Sequence, residues 1–297
     1  MLTRLIPFLF VALWSTGFIF SKVVARHAEP FSFLTVRFGL ATTLMAGIAL
    51  LVRASWPEGP QARRAMFSGA LIHAGYLGPV FWAIAHGMSA GISALIVSMQ
   101  PILTAFLAAA WLGERIKPRH WAGLLFGLAG VGLVLWPKLA QGTADAHLDT
   151  VIASVVALIS ITTGSLYQKR YGGGGDLRSA GAFQLLGGTL VVAAGALLFE
   201  QGHIVWTGEL VFALAWLVLV LSLGAISLLM IMIRRGAISR VAAYFYLVPP
   251  TTALMAYFAF DEELVPIQFL GMLLACLAVF LVTGAPAPPA AEPAREA

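Results

Sequence analysis

Six histidines, 13 acidic residues and one cysteine are the groups with which this chain could do chemistry, and their spacing argues against catalysis. His27, His73, His86, His120, His147 and His203 are scattered, with no HExxH pair and no clustered nucleophile to build a hydrolytic centre. Cys276 stands alone, so an intrachain disulfide or cysteine-based metal site cannot form. The run Gly172–Gly175 lacks the Lys-Ser/Thr ending of a phosphate loop. No cofactor and no metal are expected, and an intramembrane enzyme is a second alternative with little support.

A different chemistry, recognition inside lipid, is open to the polar and aromatic residues of the apolar runs. Burial in lipid makes such groups costly unless they are paired or face a cavity. His73 and Tyr76 lie three apart, and Trp14 and Phe18 four apart, so each pair shares a helix face. Ser98 and Gln100 precede Pro101; Tyr244 and Tyr246 precede Pro249 and Pro250. A proline inside a span removes a backbone donor and interrupts the helix, and interrupted helices mark binding regions in carriers. Tyr167 closes another run. Trp14, Phe18, His73, Tyr76, Ser98, Gln100, Tyr167, Tyr244 and Tyr246 are therefore the candidate substrate-binding residues. Pro101, Pro249 and Pro250 are candidate hinges. Each has a plainer reading: a hydrogen bond to the next helix, ordinary packing, an interfacial anchor, or a kink that only shapes the bundle. Arg37, near the outer end of its run, could attract a carboxylate or phosphate or snorkel to the interface.

The elements that carry these residues follow from composition. The chain is 60% hydrophobic and 10% charged, with a mean hydropathy of +0.91; a soluble domain carries about 25% charged residues. A spanning helix needs about 20 apolar residues, and ten such runs can be placed near residues 5–25, 33–52, 66–85, 92–112, 121–136, 151–167, 180–199, 210–233, 241–260 and 266–284. The fifth is short and gains a first turn if it begins at Pro118. The first run is too long for a cleaved signal segment. The tail 285–297, rich in Pro and Ala, is expected to be disordered and cytoplasmic. The net charge of +5 does not point to nucleic acid, because the basic residues sit in loops between apolar runs.

With the N-terminus cytoplasmic, one side receives Arg4, Arg53, Arg63, Arg64, Arg115, Lys117, Arg119, Lys169, Arg170, Arg178, Arg234, Arg235, Arg240 and Arg295. The other receives Lys22, Arg26 and Lys138, with Arg37 just inside. That asymmetry predicts a bacterial-type inner (plasma) membrane protein, multi-pass, with both termini cytoplasmic. All Asp and Glu fall in loops, tails or span ends, so no carboxylate is available inside the membrane for a proton or sodium relay. His73 is the one central group that could carry a coupling proton.

The chain also repeats itself. An offset of 148 residues aligns Pro101 with Pro249, Glu114 with Glu262, and Gly123 with Gly271. An offset of 147 pairs Lys22 with Lys169 and Arg37 with Gln184. Five spans is an odd number, so the second copy must enter the membrane from the opposite face. The fold expected is all-α integral membrane, with ten transmembrane helices in two inverted five-helix repeats. The first repeat covers residues 1–138 and the second 139–284. Glu114 and Glu262 are expected to charge-complement the helix that follows each. Gly123, Gly127 and Gly130, with Gly271, Ala275 and Ala278, read as helix-packing or dimer faces.

The residues Leu13-Trp14-Ser15-Thr16-Gly17-Phe18, Glu29-Pro30 followed by Arg37, Gln100-Pro101, and Leu112-Gly113-Glu114-Arg115-Ile116 form a pattern, continued by Gln184, Pro249-Pro250, Glu262 and Gly271. In these the chain resembles the drug/metabolite transporter superfamily, specifically its ten-helix EamA branch, over residues 3–284. Asp261-Glu262 stands where the first copy has Gly-Glu. The resemblance implies export or exchange of amino acids, related metabolites or drugs by alternating access. It also implies a central cavity lined by the first, third, fourth, sixth, eighth and ninth spans, with the fifth and tenth peripheral. The expected partners are a small-molecule substrate and membrane lipids, without nucleic acid, for a monomer or homodimer. A carrier of phosphorylated or lipid-linked substrates is the alternative, supported by Arg37 and Lys22.

Overall fold

The computed structural model describes residues 2–88, 90–140, 147–172, 175–260 and 264–284. Within its helices, the side chains of residues 2–4, 18–19, 21–22, 90–91, 138–139, 256 and 259–260 lie outside that description, and so does that of Phe18. Glu262, the tail from Ala285 and the centre of the 172–175 glycine run lie outside the described residues too.

The described chain is helical apart from short turns and one isolated bridge, Ala28 to Ile204. Lipid offers backbone groups no partner, so apolar runs close their own hydrogen bonds by winding into helices. We label the helical stretches α1 (Leu2–His27), α2 (Pro30–Leu51), α3 (Gly59–Ala85), α4 (residues 90–112), α5 (Pro118–Ala140), α6 (Leu148–Tyr171), α7 (Leu177–Phe199), α8 (Gly208–Arg235), α9 (residues 238–260) and α10 (Pro266–Thr283). Eight of them, α2 to α8 and α10, are long and apolar enough to cross a membrane. In α1 the apolar stretch among the described residues is Leu5–Gly17. Large apolar side chains cover the outside, with Leu51, Leu197 and Phe258 at 85%, 86% and 80% exposed; water would not tolerate such a surface, whereas lipid does.

Prolines set several boundaries. Pro30, Pro118 and Pro266 open α2, α5 and α10, where a missing N–H leaves nothing unsatisfied. α3 begins seven residues before the expected Met66, at Gly59. Its 27 residues span about 40 Å, so its polar first turns, with Gln61, Arg63 and Arg64, reach beyond an apolar core of about 30 Å. α4 is interrupted by a turn at Ser98–Met99, just before Pro101. α9 runs as Ile238–Ala243, a 3-10 turn at Tyr244–Leu247, then Val248–Phe260 with Pro249 and Pro250 in its first turn.

Two wide π turns interrupt the α winding. One is Ala70–Ala74 in α3 and the other Leu217–Ala225 in α8. Shifted by the 148-residue offset that relates the two halves of the sequence, the first falls inside the second.

Small residues decide which helices touch. A Cβ added to Gly130 would stand 2.7 Å from the Gly271 carbonyl, and one on Gly271 2.6 Å from that of Gly130. α5 and α10 therefore meet backbone to backbone. α2 and α7 pack through side chains instead, joined by the Thr42 and Thr189 hydroxyls at 3.3 Å. Gly69 and Gly187 bring α3 against the backbone of α7.

Turns at one end are tied to each other across the two halves. The Glu200 carboxylate accepts from the N–H groups of Phe31 and Ser32 and from the Ser32 hydroxyl at 2.7–2.8 Å, capping α2. Glu29 accepts from the N–H groups of His203 at 2.7 Å and Gln201 at 3.2 Å. The His203 N–H is the main reason the Glu29 carboxyl lies below the usual carboxylate range.

At the other end, Lys169 donates to the carbonyls of Ile233, Arg234 and Gly236, closing the C-terminus of α8. Arg170 donates to the Trp111 carbonyl and Ser179 to that of Ser55. Glu114 accepts from Ile238 N–H at 2.8 Å and from the Ser239 hydroxyl at 2.6 Å. It thus caps α9 rather than the following helix, α5. In α5 the N–H groups of His120 and Trp121 already donate to the Lys117 carbonyl, whereas the start of α9 presents the Ile238 and Ser239 donors.

Candidate functional site

α3 runs beside three cavities. At the Lys169 end lies a vestibule of about 220 Å³, lined by Gln61, Arg64 and Ser68 of α3 with Tyr167, Gln168, Gln184 and Arg234. Further along is a central chamber of about 50 Å³, lined by Ile72, His73, Tyr76, Leu77 and Val80 of α3 with Trp14, Gly17, Arg37, Leu221 and Ile226. Beyond it, toward Glu29 and Glu200, only about 10 Å³ remains between Val24, Ala25, Ala28, Pro30, Phe81, Ile84 and Ala85. No Asp or Glu lines any of the three.

The central chamber is built from both halves of the chain. α1 gives Trp14, whose indole packs with Phe10 at 5.2 Å and Phe245 at 5.6 Å. α2 gives Arg37, which is 3% exposed. Its Nε donates to the Ser222 hydroxyl at 3.2 Å, and its guanidinium lies 5.5 Å from the centre of the Phe38 ring. The π turn of α3 carries His73, whose ring lies 5.6 Å from that of Phe38 and whose Nε2 has no hydrogen-bond partner among the described residues. Tyr76 follows one turn later, where the α winding resumes. The π turn of α8 supplies Leu221 and Ser222. Both wide turns therefore sit at the chamber wall, a common position for such interruptions.

Three of the sequence candidates, Trp14, His73 and Tyr76, meet in the central chamber, and Tyr167 lines the vestibule beside Phe67 and Tyr171. The others lie elsewhere. The Ser98 hydroxyl donates to the Ala94 carbonyl of its own helix. Gln100 is buried with its Oε1 unpartnered, outside the linings of these cavities. Tyr244 stacks edgewise on Phe8. Tyr246 is fully buried against α5, where its hydroxyl donates to the Leu124 carbonyl and its ring fills the notch left by Gly127. Pro101, Pro249 and Pro250 sit at the breaks in α4 and α9.

The lining also differs from the expected set of helices. α2 and α7 contribute Arg37 and Gln184, while α4 and α9 do not reach these cavities. Arg37 does not snorkel: it is the eighth residue of α2, about 10 Å below its start. Ser222 and Gln184 carried one sequence signal. Gln184 matches Arg37 in the repeat, and Ser222 is a hydroxyl inside an apolar run.

Comparison with known proteins gives a consistent result. The profile of the EamA-like transporter family matches residues 3–136 and again 149–284. The uncharacterized transporter YvbV of Bacillus subtilis is 26% identical over 289 residues, covering 94% of this chain and 91% of that protein. A Salmonella typhimurium protein named a "probable amino-acid metabolite efflux pump" is 26% identical over 162 residues, 54% of this chain and 52% of its own. One crystal structure superposes with a TM-score of 0.78 at 21% identity, covering 95% of this chain and 96% of that one; this likeness bears on the fold alone.

Proposed function

Because the chain belongs to the EamA-like transporter family, we propose that it is a secondary carrier of small metabolites, such as amino acids or related compounds, that exports or exchanges them by alternating access. In this reading ten helices span the membrane as two inverted five-helix repeats, residues 1–138 and 139–284. The protein lies in the inner membrane with both termini cytoplasmic, as a monomer or homodimer that does not bind nucleic acid. The names of its relatives point to transport rather than catalysis.

The observation that carries the reading is the central chamber. Residues of both halves wall it, with Trp14, Arg37, His73 and Tyr76 from one and Leu221 and Ile226 from the other. Inverted-repeat carriers bind substrate at the repeat interface. The paired π turns and the sorting of turn-to-turn contacts into two ends support the inversion. Trp14, His73 and Tyr76 are the substrate-binding residues of the chamber, and Tyr167 contacts substrate in the vestibule. The proline breaks at Pro101, Pro249 and Pro250 act as hinges. With no acid along the path, transport is facilitated diffusion or exchange rather than ion-coupled. A second reading, a carrier of phosphorylated substrates, draws on Arg37, Arg64 and Arg234.

Two measurements test this. Uptake into liposomes should be saturable and indifferent to an imposed pH gradient; a strong gradient dependence that survives His73→Ala overturns the uncoupled mechanism. In a Cys276→Ala background, Arg115→Cys and Gln201→Cys should react with impermeant maleimide from opposite sides. Labelling of both from one side overturns the topology.

A further inference from the structure

We infer that the substrate is an organic monoanion, a carboxylate on an apolar body, and that its charge pairs with Arg37 in the central chamber. The inference rests on the carrier reading and narrows its substrate.

Arg37 is 3% exposed and lines the chamber. Its Nε is engaged by Ser222, and its two terminal nitrogens have no acceptor among the described residues. No carboxylate lines the chamber or either neighbouring cavity. A buried cation without a counterion is costly, and arginine cannot shed its proton to escape the cost. The fork that remains is the geometry that takes a carboxylate through two parallel hydrogen bonds. Ser222 and the Phe38 ring fix the guanidinium from the sides, so the open nitrogens are oriented before a ligand arrives.

The rest of the wall sets the body. Ile72, Leu77, Val80, Leu221 and Ile226 are aliphatic, and Trp14 adds an aromatic face. Charge balance then separates related compounds. A monocarboxylate neutralises Arg37 and leaves the chamber uncharged. A zwitterionic amino acid brings an ammonium for which the wall holds no carboxylate, only the faces of Trp14 and Tyr76 and the neutral His73 imidazole. A phosphate dianion leaves one negative charge unmatched. Charge and lining match a branched or aromatic 2-oxo acid, or another acid of that shape, ahead of the parent amino acid, and the chamber of about 50 Å³ must widen during transport to hold it.

The test uses the full-length protein in liposomes and three radiolabelled probes of one shape: 4-methyl-2-oxopentanoate, L-leucine and L-leucinamide. We expect saturable uptake of the oxo acid, at low concentration at least tenfold faster than that of leucinamide and faster than that of leucine. Arg37→Gln should cut oxo-acid uptake at least tenfold, and Arg37→Lys should recover part of it. Leucinamide uptake equal to that of the oxo acid, or oxo-acid uptake unchanged in Arg37→Gln, overturns the anion pairing. Leucine faster than its oxo acid overturns the charge-balance argument. The wild-type comparison needs no variant, so a folding defect in Arg37→Gln does not shield the inference. Absence of saturable uptake of all three probes counts against the carrier reading itself, a failure distinct from the others.

Discussion

The two ends of the path along α3 are closed and opened by different materials. The vestibule end holds about 220 Å³ and is walled by Arg64, Gln168, Gln184 and Arg234. The opposite end holds about 10 Å³ between Val24, Ala25, Pro30, Phe81 and Ile84, all apolar. Behind that plug, Glu200 and Glu29 bind backbone N–H groups of the other half of the chain. The polar side chains of the wide end give water hydrogen-bond partners. The apolar wall of the narrow end holds water poorly, and in the transport cycle proposed above the carboxylates behind it would keep it closed. A barrier of this kind is made of packing, and its strength is set by caps that lie beyond it.

The comparison can be broken most severely by making the wide end narrow. Ala65→Trp would fill the vestibule between Arg64 and Ser68; we expect uptake into liposomes to fall more than tenfold while gel-filtration behaviour stays that of the wild type. Next is the seal. Glu200→Ala removes three charge-assisted bonds from the first turn of α2, which should weaken the narrow end by about 2 kcal/mol. Impermeant maleimide should then label an Ile84→Cys reporter several-fold faster than in the parent. Glu114→Ala is the matching change at the other end, freeing the start of α9 at a cost of about 1–2 kcal/mol. It should lower the melting temperature without speeding labelling at Ile84→Cys.

The smallest expected effect is that of pH on Glu29. Its carboxyl is held below the ordinary value of 4.5, chiefly by the His203 N–H. A lowered folded-state value stabilises the fold above the unfolded value and loses that contribution as pH falls through the folded one. The melting-temperature difference between the wild type and Glu29→Gln should therefore be constant from pH 8 to about 5 and shrink slightly below 4.5.

Much of the architecture was legible in the sequence because lipid imposes a simple rule on apolar runs. The ends of α4 and α9 and their breaks follow from Pro101 and from Pro249-Pro250. The shared wall of His73 and Tyr76 follows from their spacing. Contacts between distant segments were not legible. Arg37 read either as an anion site or as a snorkelling cation, because its partner, the Ser222 hydroxyl, lies 185 residues away. Glu114 read as a cap for its own successor because the donors it serves, Ile238 and Ser239, belong to the other half. Tyr246 read as a lining residue, yet the glycine at position 127 makes a notch on α5 that a ring fits. Periodicity reports which face of a helix is apolar, not which neighbour that face will meet.

The paired π turns carry a consequence for insertions and deletions. Each stretch holds one more residue per hydrogen-bonded loop than regular α winding needs. Removing a single residue, such as Leu71, would ordinarily ruin a transmembrane helix. In this segment it would relax the winding to a plain α-helix, and because a π turn winds about as far around the axis as an α turn with one residue fewer, everything on either side would keep its direction. The shortened protein should stay folded with Tyr76 still at the wall beside Arg37 while His73, inside the wide turn, shifts, so each half has a place where it can lose one residue without turning its wall.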